Sequence, residues 1–211
     1  MRMICHFSYQ DLPPKKEKCI PLGLVMAAAE AAGISCPFTE CSSDLMQTTL
    51  FFCLWSCEYT KTNSHRRTVQ FRLKDFQFHD ADGVTPQNDP SNIFLPDRSV
   101  NLFLDMHDNS VQGNSITMES TNIAHGDPVS AAAQRFLHLR SHQADPDTTI
   151  CSYFLTNGAF PKKVTSSQIA SLLCLHAANI VFQRLGFYPH DIGSHSLLGG
   201  HHDTPPCPHP R

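Results

Sequence analysis

A chain of 211 residues with 41% hydrophobic and 17% charged content is long enough for one globular core and too apolar to be disordered throughout. Its formal net charge of −3 excludes attraction to nucleic acid by the whole-molecule field, so any such affinity has to come from local basic clusters. Nine cysteines, an odd set, and no basic start leading into a long apolar run argue against a secreted disulfide framework. The expectation is an intracellular, soluble protein with reduced thiols, nuclear if it acts on chromosomal DNA. The longest strongly apolar stretch, Leu50 to Trp55, is far too short to cross a bilayer, so no membrane partner is expected.

Residues 1–19, with the solvated run Lys15-Lys16-Glu17-Lys18, read as an extension before the first element. Ile20 to Ala32 is rich in Leu, Val, Met and Ala, and Gly33 is placed to end a helix there. Gly33 to Ser43 carries Gly, Pro, Ser and Thr and reads as a loop, followed by a second helix capped by Ser43 or Asp44 and running to about Tyr59. Leu45, Leu50, Phe51, Leu54 and Trp55 share much of one face of that helix.

The period then changes to two. Val69, Phe71 and Leu73 alternate with Gln70, Arg72 and Lys74, and Phe76 and Phe78 resume after a phase shift that predicts a bulge at Lys74-Asp75. Asp80-Ala81-Asp82-Gly83 signals a turn, and residues 84–99 read as an exposed loop rich in Pro, Asn and Asp. Val100, Leu102 and Leu104 alternate again, with Asp108-Asn109 turning the chain into a partner strand that ends near Met118. The economical arrangement is a three-stranded antiparallel sheet inserted between helices.

Asp127-Pro128 reads as a cap and first-turn proline for a helix to about His142. Thr165-Ser166-Ser167 opens an amphipathic helix through Ile169, Leu172, Leu173, His176, Ile180 and Val181, closed by Gly186. Residues 199–211 hold prolines and histidines that cannot extend a helix, so a disordered tail is expected there.

Two segments carry a family resemblance. Phe52-Cys53-Leu54-Trp55-Ser56-Cys57-Glu58-Tyr59 resembles an F-x-x-R-S-C-E-Y helix, and Gly186 to Leu198, with His195-Ser196-Leu197-Leu198, resembles a His-x-x-Arg helix start. Both belong to the tyrosine recombinases, or phage-type integrases, of protist mobile elements. Arg66-Arg67-Thr68, the strand pairs, Gly126-Asp127-Pro128-Val129 and the helix from Val164 to Leu185 follow in the family's order, so the resemblance spans about Ile20 to Leu198. It implies an α+β, mainly helical domain over 20–198, a degenerate catalytic core with a small antiparallel sheet, incomplete at the C-terminus.

The family's reaction sets a tyrosine hydroxyl against a DNA phosphate, and its transition state gathers charge on the nonbridging oxygens. Two arginines, a histidine and a hairpin lysine meet that charge. By the resemblance, the arginine positions hold Trp55 and Leu198, the lysine position holds His107 or Asp108, and only His195 keeps its type, as a vestigial catalytic residue. Asp108 would repel a phosphate oxygen rather than protonate its leaving group. No tyrosine follows His195 to act as the nucleophile, so no covalent step remains. The resemblance therefore implies a protein of DNA recombination and integration that is catalytically inactive, needs no cofactor, and retains at most weak DNA binding.

Arg66, Arg67, Arg72 and Lys74, on or before the first strand, are the candidate phosphate contacts, with Lys162 and Lys163 before the last long helix; a solvated surface explains them equally well. The alternative function is a protein-interaction module that binds an intact recombinase or another partner, or self-associates, through apolar surface of the last helix left uncovered at Leu172, Leu173, Ile180 and Val181. A zinc-dependent domain is a third reading. The spacing of His190, His195, His201, His202, Cys207 and His209 matches no common finger, Cys53 and Cys57 read as helix packing, and no metal is expected.

Overall fold

The computed structural model describes residues 20–32, 36–52, 54, 56–61, 70–80, 98–104, 114–121, 123, 126–155, 160–178, 186 and 188–192. The expected extension at 1–19 and the tail at 199–211 lie outside the described residues. The architecture is α+β, with helices around a small antiparallel sheet.

Helix α1 spans Leu22–Ala32, within the predicted interval. Helix α2 spans Pro37–Phe52, so its start differs from the expected Ser43 or Asp44 cap. Cys36 supplies the carbonyl for the first helical bond, to the N–H of Glu40 at 3.1 Å. Pro37 then takes the first helical position, where its missing N–H costs nothing. The hydroxyls that suggested a loop are spent on local bonds. Thr39 Oγ1 donates to the Cys36 carbonyl at 2.9 Å, and Ser42 Oγ donates back to the Phe38 carbonyl at 2.7 Å. Ser43 and Asp44 are thus buried in the helix interior. The helix also stops before the expected Tyr59, and a short helix α3, Ser56–Tyr59, follows separately.

The predicted phase shift before the first sheet strand is a 3-10 turn, Leu73–Asp75, in place of a bulge. Asp75 makes this turn by accepting from the Arg72 N–H through Oδ2 at 2.7 Å while its own N–H donates to the Arg72 carbonyl at 3.1 Å. Phe71 and Leu73 are buried on one side of it and Phe76 and Phe78 on the other, which is why alternation is visible in both halves. Strand β1, Phe76–His79, pairs antiparallel with β2, Ser99–Leu104, and β2 with β3, Asn114–Glu119. The order β1-β2-β3 is the expected three-stranded sheet.

Helix α4, Pro128–Ser141, begins as predicted, with Asp127 Oδ2 accepting from the Ser130 N–H at 2.9 Å. The other carboxylate oxygen accepts from the Thr121 N–H at 2.8 Å, so one buried side chain ties the end of β3 to the start of α4. Two short strands absent from the sequence reading follow, β4 (Ser152–Tyr153) and β5 (Lys162–Lys163), paired antiparallel. Helix α5, Ser166–Ala177, opens on a Thr165 and Gln168 capping box. The predicted extension through Ile180 and Val181 lies outside the described residues. Gly186 has φ +81°, a left-handed conformation that glycine adopts without steric cost.

One core joins these elements. Leu24, Val25 and Ala28 of α1, Leu45 and Met46 of α2, Phe78 and Leu102 of the sheet, Phe136 and Leu139 of α4, and Ile169 and Leu173 of α5 are all buried in it. Phe78 meets Phe136 edge to face at 5.3 Å between ring centroids. The expectation that α5 lacks cover is corrected at Leu173. Helix α1 packs against α5, burying Leu173 with Ile169 and Ala177, while Leu172 is half-buried and the exposed leucine is Leu175.

Candidate nucleic-acid interface

Several basic residues of the described chain are brought together by an irregular set of extended segments around residues 149–153. Phe71 donates to the Glu58 carbonyl at 2.9 Å and accepts from Ile150 at 3.0 Å, and Arg72 forms an antiparallel bridge with Thr149. On the other side, Val164 donates to the Cys151 carbonyl at 2.9 Å and accepts from Lys61 at 2.8 Å, and Lys61 bridges Thr165 in parallel. Arg72 and Lys74 therefore flank this patchwork on one side, and Lys61, Lys162 and Lys163 on the other.

Of the sequence-predicted phosphate contacts, Arg72 and Lys74 come together, but on a carboxylate. Both reach Asp147 Oδ1 at 2.7 Å. The hydrogen bonds from Lys74 and Arg72 hold the Asp147 carboxyl below its ordinary pKa, so it stays ionised and offsets their charge. Arg66 and Arg67 lie outside the described residues, as do His195, Trp55, Leu198, His107 and Asp108. The lysines on the opposite side differ from Arg72 and Lys74. Lys61, Lys162 and Lys163 are exposed, and none has an acidic partner among the described residues.

Beneath this surface sits a polar centre that sequence reasoning missed. Arg135 of α4 is 2% exposed; its Nη2 donates to the Ser152 carbonyl at 2.5 Å, its Nη1 lies 4.0 Å from Asp44 Oδ2 of α2, and its Nε is unpartnered. Burial pushes the Asp44 carboxyl up to about 7 despite the opposing pull of Arg135. Cys41 is buried in the same interface, and burial raises its thiol to about 12. His138, one helical turn from Arg135, is held down to about 4 by burial, with Arg135 and His142 adding to the effect. Its Nε2 accepts the Phe154 N–H at 3.3 Å, and Phe154 stacks on His142 at 4.5 Å. The arrangement anchors β4 to α4 through neutral His138 and cationic Arg135. Its signal in the sequence, an arginine on the apolar face of a predicted helix, is legible only once that face is known to be buried.

Among the described residues no group of three or more His, Cys, Asp or Glu side chains forms a cation site, and no helix is long and apolar enough to cross a membrane. No known protein family, curated protein or solved structure matches the chain.

Proposed function

We propose that the chain is a catalytically inactive, tyrosine-recombinase-like domain that associates weakly with the DNA backbone. The observation carrying this reading is the element order: a three-stranded antiparallel sheet set between helices α1–α3 and α4–α5, with basic residues leading into its first strand. That order supports the resemblance carried by Phe52–Tyr59 and by the run to Leu198. Trp55 and Leu198 support inactivity, because neither an indole nor an aliphatic side chain supplies a cationic fork to a phosphate.

The test is duplex binding as a function of salt. Replacing Arg66 and Arg67 together by alanine should lower the log–log salt slope by roughly 2. Asp147→Asn should have the opposite effect, since it releases Arg72 and Lys74 for phosphates. Nicked suicide duplexes should trap no denaturation-resistant adduct. An adduct, or slopes unmoved in both variants, overturns the proposal. The second reading, a protein-interaction module, is favoured by Leu175, which lies exposed on α5. The same series separates the two, since a module for protein partners alone leaves duplex DNA unbound.

A further inference from the structure

Strand β3 forms one edge of the three-stranded sheet, and among the described residues its backbone pairs with β2 alone. The register from Asn114 to Glu119 is unbroken, so no bulge turns this edge away. The strand also holds no proline and no lysine, two residues that commonly block pairing at an exposed edge. The opposite edge differs, because β1 is only 4 residues long and shortness is itself a protection.

The side chains show the same incomplete cover. Val100 and Leu102, in the middle strand, are fully buried on the core face. Their partners on β3, Met118 and Ile116, pack on the same core and are only half-buried. Ser115, Thr117 and Glu119 alternate with them on the other face and are exposed. The strand is therefore symmetric about Thr117, with an apolar residue on each side of it and a polar residue beyond each of those.

We infer that β3 pairs antiparallel with β3 of a second copy of this chain, about a two-fold axis at Thr117, joining the two sheets edge to edge. In that register Thr117 lies opposite Thr117 of the copy, Ile116 opposite Met118 and Ser115 opposite Glu119. Apolar meets apolar on the core face, which completes the cover of Ile116 and Met118, and polar meets polar outside. Glu119 is the one charged residue of the strand. The two copies of it fall at opposite ends of the contact, each against a neutral serine, so no like charges oppose each other. Residues 115–119 span about 17 Å of strand, against about 20–30 residues a side in a stable interface, so the dimer should come and go with protein concentration. This surface is distinct from Leu175 on α5, and the inference does not depend on the nucleic-acid reading.

Cysteine placement reads the register. Residues directly opposed in an antiparallel pair lie about 4.5–5.5 Å apart between Cα atoms, within reach of a disulfide. Thr117→Cys in the full chain, treated with oxidised glutathione, should give a covalent dimer whose link maps by peptide mass to position 117 of both copies. Ser115→Cys should give no 115-to-115 link, because those positions are about 14 Å apart in this register. Charge reads the same contact without oxidation. By sedimentation the natural chain should dimerise with rising concentration, and Thr117→Lys and Thr117→Glu, at an exposed position, should each weaken the dimer by up to about fivefold. An equimolar mixture of those two variants should recover it. No link at 117, or links at 115 and 117 formed equally well, overturns the inference. So does a chain that sediments as a monomer at every concentration. A dimer indifferent to both charge variants and abolished by Leu175→Lys overturns it and assigns self-association to α5.

Discussion

Replacing Asp44 by asparagine isolates the cost of burying a carboxyl beside a loosely paired arginine. Asp44 is buried in α2, and the Arg135 guanidinium, at 4.0 Å, is too distant to offset desolvation. Its carboxyl is raised from 3.8 to about 7, so between those values the folded state holds a proton that the unfolded chain has released. Unfolding then releases that proton, and raising the pH favours unfolding. The whole interval is worth about 4 kcal/mol, at about 1.36 kcal/mol per pH unit. Of this, the part between about pH 5 and pH 8 is about 3 kcal/mol. The asparagine variant carries no such dependence. Its stability relative to the natural chain should therefore rise by about 3 kcal/mol across that range, measured by urea unfolding at each pH. His138 acts in the other direction. Its folded value, about 4, lies below the ordinary 6.5, so its contribution is present above pH 6.5 and is lost as the pH falls toward 4. Because His138 is present in both chains, taking the difference between them removes its slope. A stability difference that does not change with pH would show that Asp44 is solvated or closely paired, and the reasoning from burial would fail.

Two further outcomes follow from burial and local geometry. Cys36 is exposed, and its hydrogen bonds to Thr39 lower its pKa, whereas burial raises Cys41 and Cys151; brief iodoacetamide labelling followed by peptide mapping should modify Cys36 well before either buried thiol. Leu173→Ala should cost about 2–5 kcal/mol because the side chain is enclosed between α5 and the core, while Leu175→Ala should change stability by no more than about 0.5 kcal/mol, as thermal melts of the two variants will report.

What was legible in the chain was whatever repeats along it. The alternation of Val100 and Leu102, the cap at Asp127 and Pro128, and the helical spacing of Ile169 and Leu173 each report a neighbour's environment at a fixed interval, and each corresponds to an observed element. The start of α2 is not legible in composition because Thr39 and Ser42 have two uses, loop hydrogen bonding and back-bonding within a helix, and composition does not separate them. Strands of two residues have no period to detect, so β4 and β5 were invisible, and with them the grouping of Lys61 with Lys162 and Lys163. That grouping depends on pairing between distant segments. The Arg135 centre was hidden for the same reason, since its partners come from α2 and β4.

The packing of α1 on α5 has a consequence for how the chain is made. Helix α1 is synthesised before α5, and the sheet and helices α2 to α4 come between the two, so part of the surface that covers α1 follows only after them. Leu24, Val25 and Ala28 therefore wait, apolar and without their final neighbour, through translation of everything between. A nascent chain in that condition is exposed to capture by chaperones and to association with its own copies on the same message. Moving α1 to follow α5 in a permuted chain would bring the two helices together in synthesis as they are in space, and would shorten that exposed interval.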